Sequence, residues 1–386
     1  LRLGNVAAPL DAGEKEIAEL VLHRLRIRRD ELLSVKVKKK SVDARDKGDV
    51  HFVLTLDVCL KDENAVLRHL KPGIAARVQP PAPMVLPKAA FEKPPVVVGA
   101  GPAGLFAALT LARAGAQPIL IERGKPVEAR AQDVARMAEA GVLDPESNVQ
   151  FGEGGAGAFS DGKLTTGIKS VHQQTVLETF VKHGAPEEIL YLAKPHIGTD
   201  LLRGVVASMR AEILRLGGQV LFETRLEELL LAGHRVVGVK VRQGEQVREI
   251  VTDAVLLCIG HSARDTLQTL FRQGVDMTQK PFAMGVRIEH PQELINRSQY
   301  GRFAGHPALR AADYKLNVRT PDGRGCYTFC MCPGGEVIAA ASQPGGVAVN
   351  GMSYHARAGE NANAALLVGV QPADFGDDHP LAGFVL

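Results

Sequence analysis

The chain has 386 residues, 45% of them hydrophobic, which is enough to bury a large core in two or three domains. Its 46 basic and 43 acidic residues nearly balance, so no global field favours nucleic acid or a membrane as partner. Five cysteines without regular spacing exclude a disulfide framework, and the first residues show no signal-peptide pattern, so we expect a cytoplasmic protein.

Residues 1–78 are predicted to form a small α+β domain. Helical spacing follows Gly13-Glu14-Lys15-Glu16, two strand-like runs flank the turn at 46–49, and a second helix starts at Asp62. This β-α-β-β-α order favours a ferredoxin-like fold. The basic run at 36–40 is compatible with RNA contact, but a charged edge strand that resists aggregation explains the same pattern.

Recurrent prolines predict a semi-rigid linker over residues 79–94. Residues 95–280 then alternate between strand and helix, which favours a parallel sheet with covering helices. We therefore predict the α/β class, with a Rossmann-like domain at 95–280. The predicted elements are strands at 96–98, 118–121, 219–223 and 254–259 and helices at 105–114 and 201–216.

Residues 281–386 are predicted to form an antiparallel β domain that serves as the substrate or cap domain. Four alternating runs are separated by turns rich in proline and glycine. Cys326, Cys330 and Cys332 share one face of a predicted strand. We interpret them as small buried hydrophobic residues rather than metal ligands, so no metal site is predicted.

A glycine fingerprint links the first strand of the 95–280 domain to its helix. Gly99 permits the tight turn, Gly101 lets the backbone approach a pyrophosphate, and Gly104 lets the helix pack on the strand. The helix N-terminus then presents N–H groups to the phosphates. Glu122 follows the next strand and suits ribose hydroxyls, which favours FAD or NAD over NADP.

Two further segments are predicted at the cofactor. The glycine-rich run 151–163 brings bare N–H groups near an anion or a flat ring, with a surface loop as the alternative. Gly260 and His261 follow an apolar strand and should face the cofactor. The chain has one fingerprint, so no separate nicotinamide domain is expected, and no Cys-x4-Cys pair follows the first helix.

Two histidines are the candidate catalytic residues, although the sequence compels neither. His355 lies in the polar stretch 350–363 and could act as acid or base, while Arg357 could hold a carboxylate; an ordinary polar loop is the alternative. His196 precedes Gly198-Thr199-Asp200, which predicts a capped helix start. The same loop could also face the cofactor.

The fingerprint with Glu122 and the strand at 252–260 resemble the glutathione-reductase-type FAD-binding superfamily. More narrowly, the chain resembles the bacterial family of uncharacterised FAD-dependent dehydrogenases over essentially its whole length. The segments that carry this resemblance are 152–157, 159–164, 194–200, 329–335 and 353–357.

The resemblance implies FAD as cofactor, which makes residues 95–280 a Rossmann-like FAD-binding domain, and an oxidoreductase as activity. It assigns Arg123 and Arg130 to polar positions near the cofactor and Leu226 to a strand end that meets adenine. The implied and predicted cofactor-binding residues are Gly99, Gly101, Pro102, Ala103, Gly104, Glu122, Arg123, Arg130, Gly154, Gly155, Ala156, Asp161, Gly162, Lys163, Leu226, Ile259, Gly260 and His261.

The superfamily closes its flavin site with a late Gly-Asp motif that follows a strand. Gly376-Asp377 lacks that strand, so we expect a C-terminally truncated chain that ends before the closing segment.

These observations predict an FAD-dependent oxidoreductase of the dehydrogenase type. Hydride would pass between a small-molecule substrate and the flavin, with NAD(P)H as a candidate electron donor. Two alternatives stay open, namely a flavin-containing RNA-associated or RNA-modifying protein and a non-catalytic nucleotide-binding protein.

Overall fold

The structure is a computed structural model that describes residues 1–79 and 85–384. The helices in these residues are α1 (Glu14–Leu25), α2 (Glu63–His69), α3 (Pro102–Arg113), α4 (Val127–Ala140), α5 (His172–Lys182), α6 (Thr199–Arg215), α7 (Arg264–Arg272) and α8 (Gln292–Tyr300). The first eleven strands are β1 (Arg2–Ala8), β2 (Leu32–Asp43), β3 (His51–Leu60), β4 (Ala75–Ala76), β5 (Val96–Val98), β6 (Ile119–Ile121), β7 (Gln219–Leu221), β8 (Thr224–Ala232), β9 (Arg235–Gln243), β10 (Gln246–Val251) and β11 (Val255–Leu257). The last six strands are β12 (Phe282–Pro291), β13 (Asn317–Arg319), β14 (Gly325–Cys332), β15 (Gly335–Ala339), β16 (Val349–Ser353) and β17 (Asn361–Val370).

The chain divides into two compact units, each assembled from separate stretches. Unit 1 contains the described residues before Val85 together with Lys163–Ile197 and Pro291–Asp313. Unit 2 contains Val85–Gly162, Gly198–His290 and the described residues from Tyr314 onward. The predicted boundaries instead follow chain order, and residues 80–84 of the predicted linker lie outside the described residues.

Unit 1 is built on an antiparallel sheet with the strand order β2-β3-β1-β4. Every second residue of β3 is buried, from Phe52 to Leu60, as expected for a strand with one face on a core. Leu3 and Leu56 are fully buried, and Val21 of α1 packs into the same cluster. The predicted β-α-β-β-α order is present in these residues, followed by β4.

Unit 2 contains a parallel sheet with the strand order β11-β5-β6-β7. All residues of β5 and β6 are buried, which is typical of a parallel strand with helices over the sheet. The predicted mixed α/β class is therefore confirmed. Because neighbouring strands run in one direction, the carboxyl ends of β5, β6 and β11 meet at the same sheet edge, where α/β proteins bind ligands.

Antiparallel strands make up the rest of unit 2. They form a three-stranded sheet β10-β9-β8, a four-stranded sheet β12-β17-β14-β13 and a hairpin of β15 and β16. The strand that is predicted to carry Cys326, Cys330 and Cys332 on one face is not regular. The pairing of β14 with β17 shifts between Phe329 and Cys332, and Cys330 has a φ of 46°, so a bulge breaks the alternation.

No described helix combines the length and the hydropathy that a membrane crossing requires.

Candidate functional site

A cavity of about 370 Å³ lies in unit 2 at the carboxyl edge of the parallel sheet, within the size range of small-molecule and cofactor sites. Its wall combines the fingerprint turn, the end of β6, the glycine-rich loop, the start of β8 and the β11–α7 junction. The lining residues are Val98, Gly99, Gly101, Pro102, Ala103, Ile121, Glu122, Arg123, Gln150, Phe151, Gly152, Gly155, Ala156, Thr224, Arg225, Leu226, Leu257, Cys258, Ile259, Gly260, His261, Ser262, Ala263 and Thr266.

The three fingerprint glycines have different surroundings. Gly99 has a φ of 98°, and a Cβ there would lie 2.5 Å from the carbonyl oxygen of Cys258. A Cβ on Gly104 would lie 1.7 Å from the carbonyl oxygen of Gly99. A Cβ on Gly101 would meet only the Cα of Gly155, at 4.0 Å. Packing therefore requires glycine at 99 and 104, whereas the bare position at 101 leaves free space on the cavity wall.

Helix α3 begins directly behind this free space. Gly101 is its N-cap residue, Pro102 is its first residue, and no side chain caps it. The first turn also contains no acidic residue. The N–H groups of a first helical turn have no partner inside the helix and carry the positive end of the helix dipole. An anion at this wall would therefore find donors that no side chain of the turn engages.

Glu122 is almost fully buried and links three backbone segments. Its Oε2 accepts a hydrogen bond from the N–H of Ala100 (2.7 Å), and its Oε1 accepts from Gly124 and Gly152 (both 2.9 Å). The carboxylate therefore joins the fingerprint turn to the glycine-rich loop. A carboxylate offers about four acceptor positions, and three are used, so one position remains for a donor in the cavity.

Arg130 of α4 lies beneath the glycine-rich loop and is fully buried. Its Nε donates to the carbonyl of Asn148 (2.7 Å), and its Nη2 donates to Val149 (2.8 Å) and Gly155 (2.9 Å). A Cβ on Gly152, where φ is 114°, would lie 2.4 Å from its Cδ. Burial lowers the pKa of Arg130 to about 10, which leaves it charged at neutral pH. The side chain holds the loop and does not line the cavity.

Arg123 lines the cavity, but carboxylates engage its guanidinium. Both Nη atoms donate to Asp265 of α7 (3.0 Å each), and Nε donates to Glu146 (2.7 Å). The Cζ of Arg123 also lies 4.2 Å from the ring centroid of Phe151. Burial opposes its charge, but these hydrogen bonds outweigh that effect and raise the pKa of Arg123 above its usual value. The ion pairs fix the wall between β6 and α7.

The structure brings most of the predicted cofactor-binding residues to one cavity and leaves six outside its wall. The predicted residues on the wall are Gly99, Gly101, Pro102, Ala103, Glu122, Arg123, Gly155, Ala156, Leu226, Ile259, Gly260 and His261. The predicted residues that do not line it are Gly104, Arg130, Gly154, Asp161, Gly162 and Lys163. Lys163 belongs to unit 1.

Sequence reasoning missed Gln150 and Thr266 on the wall and the partners of Arg123 behind it. Asp265 and Thr266 open α7, which follows the turn at Gly260 and His261. That signal was available, because helix starts beside the carboxyl ends of parallel strands are recurrent ligand positions.

The candidate catalytic loop has a different arrangement from the expected one. Arg357 does not offer a free guanidinium, because its Nε donates to Oδ1 of Asp161 (2.9 Å) in an ion pair whose two side chains are buried. The backbone N–H of His355 donates to Oδ1 of Asp200 (2.8 Å). His355 does not line the cavity.

His196 is almost fully buried, lies in unit 1 and forms an isolated antiparallel bridge with Lys163. The expected side-chain cap at the start of α6 is wrong: Gly198 is the N-cap residue and Thr199 is already helical. The hydroxyl of Thr199 donates to the carbonyl of Ala158 instead (2.9 Å). The proposed acid–base roles of His196 and His355 stay predictions.

Three family models match separate parts of the chain. An FAD binding domain matches residues 95–203, and the model named FAD-dependent protein, C-terminal domain-like, matches residues 281–386. A domain of unknown function matches residues 2–59. The cofactor of this chain is therefore FAD, and the chain is a flavoprotein.

Among curated proteins, a Clostridium beijerinckii protein described as uncharacterised is 46% identical over 386 residues, which is 99% of this chain and 72% of that protein. The NADH:fumarate oxidoreductase of Klebsiella pneumoniae is 26% identical over 210 residues, covering 47% of this chain and 22% of that protein. Among solved structures, the glycerol-3-phosphate dehydrogenase of Bacillus halodurans complexed with FAD is 15% identical, with a TM-score of 0.33. That match covers 72% of this chain and 47% of the other.

Proposed function

From the premise that this chain belongs to the same protein family as the Clostridium beijerinckii protein, we propose that it is an FAD-dependent oxidoreductase in which hydride passes between a small-molecule substrate and the flavin. The proposal includes membership of the glutathione-reductase-type FAD-binding superfamily. Its support is the fingerprint turn, the parallel sheet and the acidic residue at the end of β6.

The observation that carries the proposal is the free space at Gly101 in front of an uncapped helix. A pyrophosphate is an anion made of two linked phosphate groups. Its oxygens can accept hydrogen bonds from the N–H groups of the first turn of α3. The remaining acceptor position of Glu122 suits a ribose hydroxyl. The start of β8, at Thr224 and Leu226, lies on the same wall and would hold the adenine.

The residues of the loop 151–157 contribute geometry rather than charge in this proposal. Glu122 and Arg130 hold the loop from two sides, and the N–H of Gly154 donates to the carbonyl of Ala100 (2.8 Å). The loop and the fingerprint turn are thus tied together before any ligand binds. A preorganised cradle of this kind reduces the entropy that cofactor binding costs.

For unit 1 we propose a ferredoxin-like fold. The support is the strand order β2-β3-β1-β4, the antiparallel pairing of all neighbouring strands and the positions of α1 and α2 between strands in the chain.

Substituting Gly101 tests the cofactor site. The purified chain is expected to show the absorbance bands of oxidised flavin, and dithionite should bleach them. In Gly101→Val we expect loss of these bands with an unchanged far-UV circular dichroism spectrum, because the added side chain enters free space and not packed protein. The matched control is Gly204→Val on α6, where a Cβ would meet no atom within 4 Å and where the flavin should be retained.

The outcome that contradicts the site is a Gly101→Val protein that folds and binds FAD as tightly as the unsubstituted chain. The oxidoreductase activity needs a separate measurement, namely anaerobic mixing of the flavin-loaded chain with NADH or with NADPH. Bleaching by either nucleotide identifies the donor class. Bleaching by dithionite, with none by nucleotides or by a panel of organic reductants, would contradict the proposed enzyme and leave a non-catalytic flavoprotein.

A further inference from the structure

The bulge in β14 brings two thiols together that a regular strand would hold apart. Cys330 has a φ of 46°, and its Sγ lies 3.9 Å from the Sγ of Cys332. Both residues are thiols in the structure. Cys332 is fully buried, whereas Cys330 is half-buried. The pair therefore has one sulfur that a reactant can approach and one behind it.

A cation and an amide surround the inner thiol. A Cβ on Gly351 would lie 2.4 Å from Nη1 of Arg287, 2.5 Å from Oδ1 of Asn363 and 2.7 Å from Sγ of Cys332, so these three atoms converge on one point. Glycine at 351 is what allows them to meet there. A neighbouring guanidinium stabilises a thiolate, which is the reactive form of cysteine.

Hydrogen bonds fix this cluster around the carbonyl group of Cys330. Nη1 of Arg287 donates to that carbonyl (3.1 Å) and to Oδ1 of Asn363 (2.7 Å). The S–H group of Cys332 donates to the same carbonyl (3.2 Å). The bulge, the thiol and the guanidinium therefore hold one another in place.

Two buried donors at this cluster lack an acceptor among the described residues. They are Nδ2 of Asn363 and Nε of Arg287, and Asn363 is fully buried. The amide of Asn363 cannot be turned round, because its Oδ1 accepts from Arg287. Unsatisfied buried donors are costly, and a negative charge that forms nearby relieves that cost. The cluster thus favours negative charge on the sulfur of Cys332 once its S–H proton has left.

We propose that Cys330 and Cys332 form a redox-active dithiol that reduces the disulfide of a small thiol compound. The two sulfurs are close enough to bond after side-chain rotation, since disulfides join residues that neighbour in space. This site is separate from the FAD cavity, whose wall contains neither cysteine. The inference does not depend on the proposed flavin activity.

The exchange proceeds in two balanced steps. Cys330, the less buried of the two, loses its proton and attacks one sulfur of the substrate disulfide; the S–S bond breaks, and the first small thiol leaves with the electron pair and takes up a proton. The sulfur of Cys332 then attacks the sulfur of Cys330 in the mixed disulfide. The second small thiol leaves with the proton of Cys332, so the substrate gains two electrons and the protein pair becomes a disulfide.

Glutathione disulfide is the probe for the test, applied to the full chain in the reduced state, with peptide mass mapping as the readout. In the unsubstituted chain we expect a disulfide between Cys330 and Cys332 and no glutathione on either of them, whereas the exposed Cys59 outside the pair can keep a glutathione. Cys332→Ser should keep glutathione bound at Cys330, because the second step is blocked. Cys330→Ser should retain no glutathione at Cys332, because Cys332 is buried.

Cys326→Ser is the matched control, since Cys326 lies on the same strand and pairs with Val368 away from the bulge. It should behave as the unsubstituted chain and also simplifies the assignment of the disulfide. The proposal is overturned if Cys330 and Cys332 keep their thiols in the Cys326→Ser chain, or if glutathione stays on Cys330 or Cys332 of the unsubstituted chain. These two readouts do not require the variants of the pair to fold.

Discussion

Arg130 and Arg123 are both predicted to lie near the cofactor, yet they stabilise the site in different ways. Arg130 uses several of its five N–H donors on the carbonyl groups of the glycine-rich loop. Arg123 pairs with Asp265 and Glu146 and so ties two wall segments together. Only an arginine offers a planar fork of donors with this reach, so a lysine would not replace either residue.

Glu153 is a buried acid next to Arg130, and its ionisation should oppose folding. Burial raises the pKa of Glu153, while a hydrogen bond from the N–H of Val127 and the charge of Arg210 offset part of that effect; Glu128 and Glu122 add to it. An acid whose pKa is raised by folding contributes stability at pH values below its pKa in the unfolded chain, about 4.3. That contribution is lost as the pH rises.

We therefore expect Glu153→Gln to gain stability relative to the unsubstituted chain as the pH rises from about 4 to 7. Urea unfolding at several pH values measures the difference in the free energy of unfolding between the two proteins. Glu128→Gln is the control with the opposite sign: burial raises the pKa of Glu128, but the hydrogen bond from Arg210, a backbone hydrogen bond and the charge of Arg210 together outweigh burial and lower that pKa. A Glu153→Gln difference that falls with rising pH would show that this carboxylate is stabilised in the fold.

At the scale of elements, the junction of β5 with α3 depends on a close backbone contact between Gly99 and Gly104 that leaves no room for a side chain. A Cβ on Gly104 would lie 1.7 Å from the carbonyl oxygen of Gly99 and 2.9 Å from its carbonyl carbon. Both contacts involve backbone, so a side chain at 104 must push the helix from the strand. Overpacking of this kind typically costs about 1–3 kcal/mol.

Gly104→Ala should therefore lower the free energy of unfolding and weaken FAD binding together, as measured by urea unfolding and by flavin fluorescence. Gly204→Ala on α6 is the matched control. It makes the same change in a helix where a Cβ meets nothing within 4 Å, and it should stabilise the chain by about 0.5–1 kcal/mol because alanine favours helix. Equal effects of the two substitutions would contradict the role of the junction.

The sequence predicts those parts of the site that depend on neighbours in the chain. The fingerprint turn, Glu122 and the turn at Gly260 are local patterns of strand, turn and helix, and the structure places all of them on one wall. The pairs of Arg123 with Asp265 and of Asp161 with Arg357 join residues 142 and 196 positions apart. No local pattern identifies such partners, because they depend on how distant elements pack.

Sequence patterns also miss details within single helices and strands. The spacing predicts a helix over 105–114, whereas α3 begins at Pro102, because a proline whose φ is already helical fits the first position. The bulge at Cys330 is invisible in the alternation of β14, since an extra residue in a strand leaves no fixed mark in composition. Both departures lie at the candidate sites.

At the scale of the whole molecule, the order of the chain is not the order of the compact units. The first 78 residues suggest a self-contained domain, but the core of unit 1 also includes side chains from much later in the chain. Tyr300, Phe303 and Leu309 pack against the cluster formed by β1, β3 and α1. A core whose apolar surface is covered by a distant segment of the chain depends on that segment for its stability.

Phe303→Ala should therefore loosen unit 1 at a distance of more than two hundred residues along the chain. We expect the free energy that protects the amides of β1 and β3 to fall by about 1–3 kcal/mol, less than for a fully buried ring because Phe303 is half-buried. Hydrogen exchange followed by mass spectrometry measures this as faster deuterium uptake in peptides from those strands.

Leu294→Ala on α8 is the matched control for Phe303→Ala. Leu294 belongs to the same stretch, but it is 59% exposed, so its substitution should leave the uptake unchanged. If Phe303→Ala left uptake in β1 and β3 unaltered, residues 1–78 would be stable without the later stretch, and the domain boundary that the sequence predicts would describe the folding unit better than the packing does.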